Sequence, residues 1–152
     1  MTHPESNIGL ISDTHGLLRP QVIEHLKGCD AIIHAGDICD NEIITELAAI
    51  APIHPVAGNM DAKGQYPTSD LIKIGSYSIY IIHDFYTIDL DLEAAGVDIL
   101  IFGHTHLPDQ FLHGKVTCIN PGSAGPERPR RPISMARLRL LPDQIITDFI
   151  DL

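Results

Sequence analysis

The 152 residues contain no tryptophan and only four phenylalanines and four tyrosines, so an aromatic platform for stacking single-stranded nucleic acid is not expected. Positive charge is scarce too. Ten Lys and Arg stand against twenty Asp and Glu, a formal net charge of −10, and a surface of that sign repels nucleic-acid and membrane phosphates. Cysteine is rare: Cys29, Cys39 and Cys118 are odd in number and lack C-x-x-C spacing. They read as small buried core residues of a reducing compartment rather than as disulfides. No apolar run approaches the ~18 residues of a membrane helix. Met1 to Asn7 is polar and lacks the basic-then-apolar pattern of a secretory signal. These absences lead to the expectation of a cytoplasmic protein with no membrane partner.

What is present is ordinary for a globular chain: 44% apolar and 20% charged residues. The length suits one domain, residues 1–152, with a substantial core. Ile8 to Ser12 is a short apolar run, a first strand. Pro20 opens a helix with Val22, Ile23 and Leu26 inward and Gly28 as its stop. Ala31 to His34 is a second strand. Asp40 or Asn41 caps a helix through Ile50, with Ile43, Ile44 and Leu47 inward, and Ile53 to Ala57 is a third strand. This alternation implies parallel strands with right-handed crossovers.

Hairpin signals then take over. Gly75-Ser76 separates Leu71 to Ile74 from Ser78 to Ile82, His113-Gly114 separates Phe111 to Leu112 from Lys115 to Ile119, and Pro142-Asp143 separates Ser134 to Leu140 from Gln144 to Ile150. Asp89 to Ala95 is expected as a short helix stopped by Gly96, and Asp98 to Phe102 as another buried strand. Gly122 to Pro132 is a loop. The expectation is an α/β fold: two packed mixed sheets with helices outside.

The polar residues that follow the strands carry the functional signal. Asp13 and His15 follow the first strand, Asp37 the second, Asn59 and Asp61 the third; His83 ends the Ser78 to Ile82 strand, and His104 and His106 follow Asp98 to Phe102. Ligands of open α/β sheets sit outside the carboxyl ends of the parallel strands. An Asp at such a point is often a turn residue or cap. Turns do not require His, however, and Asp-x-His and His-x-His both occur here. Alternate residues of an extended stretch point the same way, so either pair could hold a metal. Nitrogen and oxygen donors without thiolate suit Mn²⁺, Fe²⁺, Zn²⁺ or Ni²⁺ better than Mg²⁺ or Ca²⁺. The set is too large for one ion and fits two ions sharing a carboxylate.

These segments resemble the calcineurin-like metallophosphoesterases, most of all the small YfcE-like phosphodiesterase branch. The matching stretches are Ser12-Asp13-Thr14-His15-Gly16, His34-Ala35-Gly36-Asp37, Gly58-Asn59-Met60-Asp61, His83, Gly103-His104-Thr105-His106 and Asn120-Pro121-Gly122-Ser123. The resemblance implies an α/β/β/α sandwich. It implies that Asp13, His15 and His106 bind one divalent metal, that Asn59, His83 and His104 bind the other, and that Asp37 bridges them, with manganese the first candidate and Fe, Ni or Zn as alternatives. His34 and Ser123 are implied as structural. Asp37, Asn59, Asp61 and His104 form the expected catalytic set, Asp61 orienting a ligand or water.

The expected activity is hydrolysis of a small phosphoester, a diester before a monoester, by in-line attack of metal-bound hydroxide with no covalent intermediate. A leaving group that departs readily as an anion needs little protonation. The competing reading is a non-catalytic metal-binding scaffold resembling the retromer subunit of the same family; the seven competent ligand positions favour an enzyme. A homodimer is compatible with this reading.

The chain departs from the resemblance at three points. Met60 stands where many relatives carry a His that meets the substrate. His83-Asp84-Phe85 stands where His-Gly-His is common, which alters the substrate side of the site more than the metal side. Arg128, Arg130 and Arg131 follow the Asn-Pro-Gly-Ser segment; they read as a solvated basic loop, with a bidentate phosphate clamp as the alternative.

Overall fold

Isoleucine-rich runs bury both faces of the central strands, and such strands pair in parallel with cover on each side. In the computed structural model, which describes residues 5–152, the order is β1 (Ser6–Ile11), α1 (Pro20–Leu26), β2 (Ala31–His34), α2 (Asn41–Ala48), β3 (Ile53–Pro55), β4 (Ser69–Ile74), β5 (Tyr77–Ile82), β6 (Ile99–Ile101), β7 (Pro108–His113), β8 (Val116–Pro121), β9 (Ser134–Leu140) and β10 (Ile145–Asp151). Residues 1–4, which carry part of the reading of the polar N-terminus, lie outside the described residues. No helix among the described residues is long and apolar enough to cross a membrane.

The strands form two five-stranded mixed sheets, ordered β10-β9-β1-β2-β3 and β4-β5-β6-β8-β7. β1, β2 and β3 are parallel, as are β5, β6 and β8, and the remaining strands pair antiparallel at the edges. Ile8, Leu10 and Ile33 from the first sheet and Ile79, Ile81, Ile99, Ile101 and Ile119 from the second fill the space between them. Each such side chain contributes roughly 1.5–3 kcal/mol on burial.

The outer face of the first sheet is covered by α1 and α2. Pro20 starts α1 at a position where no N–H is needed, and Val22 and Leu26 are its buried residues. The Asp40 side chain caps α2 by accepting from Glu42 N at 3.0 Å, and Ile43 and Leu47 face inward. Gly9 lets α1 approach the sheet, because a Cβ there would collide with Leu26 Cδ2. α2 ends at Ala48, two residues before the expected Ile50.

The outer layer of the second sheet differs from expectation. Asp89–Ala95 is not a helix. Asp91 caps a single turn through Ala94 N (3.2 Å) and Ala95 N (3.0 Å), and Gly96 at φ 75° ends it before a second turn can repay nucleation. A 3₁₀ turn at Phe85–Thr87 precedes it. Together these turns lay Phe85, Ile88, Leu90 and Leu92 over Tyr80, Leu100, Phe102 and Cys118. The sandwich therefore has α-helices on one flank and turns with aromatic side chains on the other.

Candidate metal centre

All six parallel strands end on the same side of the sandwich, and the loops that leave them carry the polar residues singled out above. The loops are tied together by backbone hydrogen bonds: Asp13 N donates to Gly36 O, His15 N to Asp37 O, and Gly103 N to His83 O, each at 2.9 Å. Glycines permit the close approach. A Cβ on Gly58 would collide with Asp37 Oδ1, and one on Gly103 with Ser12 Oγ and Asp13 Oδ2.

Asp13 lies at the centre and is fully buried. Its Oδ2 accepts from Ser12 Oγ (2.6 Å) and from His104 N (3.1 Å). Its Oδ1 takes no hydrogen bond among the described residues, yet faces three imidazoles, with His106 Nε2 at 3.2 Å, His15 Nε2 at 3.7 Å and His83 Nε2 at 3.8 Å. Asp37 Oδ1 accepts from Met60 N at 2.8 Å, while its Oδ2 sits 3.3 Å from His83 Nε2 and 3.6 Å from His15 Nε2. His83 Nδ1 lies 2.7 Å from the Ala35 carbonyl, which only accepts, so Nδ1 carries a proton and Nε2 is directed at the cluster. Asn59 Oδ1 is 3.1 Å from that same Nε2.

Two groups result in which each residue can offer one ligand atom to a common point: Asp13, His15 and His106, and Asp13, Asp37 and His83. His104 belongs to neither. Its side chain is 44% exposed, its ring packs edge-on against His83 with centroids 5.1 Å apart, and its Nε2 is 3.9 Å from Asp84 Oδ2. Asp61 is not in the cluster either. Its carboxylate accepts from three backbone N–H groups, Gly58 (2.8 Å), Ile38 (3.0 Å) and Cys39 (2.8 Å), and so clamps the loop after β3 to the loop after β2.

The electrostatics match this arrangement. Burial works against a charge on Asp13, but His106, His15, His83 and Ser12 outweigh it and hold the carboxyl well below the usual carboxylate range. Burial likewise opposes a charged Asp37, and contacts with His83 and the Met60 N–H overcome it, so its pKa is lowered. His83 shows the reverse: burial disfavours its cation, and the Asp37 and Asp13 carboxylates raise its pKa nonetheless. His34 is fully enclosed, and burial pushes it down to about 4. Its Nδ1 accepts from Gly36 N (3.2 Å) and its Nε2 is 2.9 Å from Thr14 Oγ1, so neutral His34 props the loop that carries Asp13 and His15.

Divalent cations fit this donor set. Asp13 Oδ1 is a buried charged oxygen without a hydrogen-bond donor among the described residues, a costly state that a cation relieves. The imidazole and carboxylate donors around it are of the type borderline divalent metals take.

The Asn120-Pro121-Gly122-Ser123 segment braces the site from behind. Asn120 Nδ2 donates to Gly103 O (3.0 Å) and Thr105 Oγ1 (2.9 Å), and Ser123 Oγ donates to Asp13 O (2.9 Å). Arg131 Nε donates to Thr105 O at 3.1 Å, on the loop between His104 and His106, and its Nη1 donates to Arg130 O at 3.3 Å. Arg128 and Arg130 are exposed.

Two expectations require correction. Asp13 and His15 do face a common point, but not because the chain is extended: their φ values are 54° and 45°, and His104 and His106 are also left-handed, at 73° and 62°. His104 and His106 consequently part company instead of sharing one ion as alternate strand residues would. Cys39, expected in the core, is exposed at the rim, with Sγ 3.8 Å from His15 Nδ1. Its position two residues after Asp37 was the available signal, and composition alone hid it.

Against known proteins, residues 7–142 match the model of the calcineurin-like phosphoesterase superfamily domain. The chain belongs to this superfamily. A probable metallophosphoesterase of Methanocaldococcus jannaschii is 36% identical over 139 residues, covering 83% of this chain and 71% of the relative. A probable metallophosphoesterase of Bacillus subtilis is 34% identical over 157 residues, covering 95% of this chain and 90% of the relative. Among solved structures, Vacuolar Protein Sorting 29 from Cryptosporidium parvum superposes with a TM-score of 0.85 at 22% identity, covering 97% of this chain and 92% of that one, which shows the shared fold. As a calcineurin-like phosphoesterase, the chain carries Asp and His groups suited to the divalent metal ions its family implies.

Proposed function

We propose that this calcineurin-like phosphoesterase is a dinuclear enzyme that hydrolyses phosphodiesters by in-line attack of water, with no covalent intermediate on the chain. The observation that carries the reading is Asp13 Oδ1, buried without a hydrogen bond among the described residues and faced by the Nε2 atoms of His15, His83 and His106 from three separate loops. Asp13, His15 and His106 would hold one cation. Asn59, His83 and His104 would hold the other. Asp37 would serve both, since its Oδ2 lies between His15 and His83. Such a pair of cations, manganese first, supplies an acidified water and neutralises charge on the phosphoryl oxygens.

The chain's own residues position this chemistry. The Ala35 carbonyl fixes the His83 tautomer, the Met60 N–H anchors Asp37, and Asp61 locks the two loops that carry Asp37 and Asn59. His104, half-exposed at the mouth, is the member of the set that a bound ester would meet. The cleft beyond it, lined by Asn59, His83, Asp84, Asp89 and His104, contains no Lys or Arg among the described residues. A monoester dianion would meet Asp84 and Asp89 with no Lys or Arg to offset them, which favours the singly charged diester.

The test is hydrolysis of bis-p-nitrophenyl phosphate. Activity should vanish with a chelator and return with Mn²⁺, and turnover that persists in metal-stripped protein would refute the reading. The fold shared with a Vacuolar Protein Sorting 29 supports a second reading, a metal-binding scaffold. Recovery of a stoichiometric protein partner, together with no hydrolysis under any metal, would favour that one.

A further inference from the structure

Three of the chain's four phenylalanines, scattered in sequence, meet beside the metal centre. Phe85 is the hub: its ring lies 5.5 Å from those of Tyr86, Phe102 and Phe111 and 5.8 Å from that of His113, in tilted or edge-to-face contacts. These rings and Leu107 line a groove of about 630 Å³. Tyr86 is 89% exposed and Leu107 41% exposed, so the wall stands open to solvent. His104 and Asp84 line this groove and also the cleft that contains Asn59 and His83, so the two spaces are neighbours that share a wall. The groove carries Asp84 and Asp109 and no Lys or Arg among the described residues, a lining that rejects an anionic occupant. Asp84 and Phe85 are also the pair that stands where the chain departs from His-Gly-His.

We propose that the groove is the binding site for one ester group of the substrate, and that this group is a flat, uncharged aromatic ring. The inference rests on the reading of the metal centre as the seat of the phosphoryl group. With the phosphoryl group beside His104, one substituent is directed along the shared wall onto Phe85 and Tyr86. An aromatic ring there extends the existing edge-to-face lattice, a geometry that an aliphatic group of similar size does not satisfy. Asp84 holds the wall in place, because its Oδ1 accepts from Tyr86 N at 3.0 Å and starts the 3₁₀ turn that presents Phe85 and Tyr86.

The test compares dissociation constants, by calorimetry on the metal-loaded protein, for methyl phenylphosphonate, methyl cyclohexylphosphonate and methyl methylphosphonate. All three are monoanions that match a phosphodiester in charge. The phenyl compound should bind roughly tenfold or more tightly than the methyl compound, as expected for burying most of one ring, and more tightly than the cyclohexyl compound. Tyr86→Ala and Leu107→Asp, both at exposed positions, should bring the phenyl-to-methyl ratio towards one. Phe149→Ala, an exposed aromatic on β10 of the other sheet, should leave it unchanged. A wild-type ratio near one, equal binding of phenyl and cyclohexyl, or a ratio untouched by both groove variants would overturn the proposal. Hydrolysis of bis-p-nitrophenyl phosphate separates the two readings. Turnover with a ratio of one removes the aromatic subsite alone, whereas the expected ratios without turnover of any diester under any metal keep the subsite and remove the phosphodiesterase.

Discussion

Where the parallel strands begin, Gly75 and Gly114 turn two hairpins and Gly28 and Gly96 lead into β2 and β6, all at positive φ. Where those strands end, the left-handed residues include Asp13, His15, Asp37, His104 and His106. Glycine adopts this conformation without steric cost, while a side chain adds about 1–2 kcal/mol per residue. The first end is built for turning the chain cheaply. The second accepts strain because the side chains themselves are needed, and the isoleucine core beneath offsets it.

If that contrast is correct, the largest effect comes from the strained end. Asp37→Asn should lower diester hydrolysis by about a thousandfold, in line with the loss of several kcal/mol of metal-supplied stabilisation, and should shift the unfolding temperature by only a few degrees. Steady-state assays and thermal melts of the purified variant check both. Next, Mn²⁺ at about a hundred times its dissociation constant should stabilise the metal-free protein by roughly 3 kcal/mol, about 5–10 °C in a chain of this size. An unchanged melting temperature would mean that the buried carboxylates need no cation.

A pH titration of the metal-free protein sharpens the comparison further. Burial holds His34 at about 4 against an ordinary 6.5, so the unfolded chain takes up a proton that the folded chain refuses. That contribution is complete above about pH 6.5 and is lost as the pH falls to about 4, at most about 3 kcal/mol. The lowered Asp13 and Asp37 lose their contribution at still lower pH, and the raised His83 works with the opposite sign, weakening as the pH rises. Urea unfolding at pH 7 and pH 4.5 should show the drop, and His34→Gln should flatten it.

The smallest effects come from paired glycine substitutions. Gly103→Ala, whose Cβ would strike Ser12 Oγ and Asp13 Oδ2, should cost about 2–3 kcal/mol and reduce hydrolysis. Gly75→Ala, whose Cβ meets nothing, should cost about 1 kcal/mol through its φ of 60° and leave hydrolysis intact. Equal effects of the two on hydrolysis would erase the distinction between the ends.

Much of this could be read from the sequence because the parallel strands are apolar runs that stop abruptly at Asp, Asn or His. The Ile8, Ala31 and Ile99 runs announce buried strands, and Asp13, Asp37, Asn59 and His83 mark their ends. Other features depend on contacts between distant segments. Period and spacing could not reveal that Asp61 clamps the loop of Asp37, because its partners are backbone N–H groups on another loop. They also could not reveal the aromatic groove, since Phe85 in the 3₁₀ turn, Phe102 just after β6 and Phe111 on β7 come from three segments that are distant in sequence and meet on the second sheet. The Asp89–Ala95 helix failed for a local reason: Gly96 leaves room for one turn, and a single turn does not sustain a helix.

The most direct check on the two-cation centre is metal analysis after equilibration with Mn²⁺ and removal of free ion, for the wild type and for His106→Ala and His83→Ala. Two ions per chain in the wild type, and one in each variant, is the expected result. A single ion in the wild type, or an identical count in all three proteins, would contradict it.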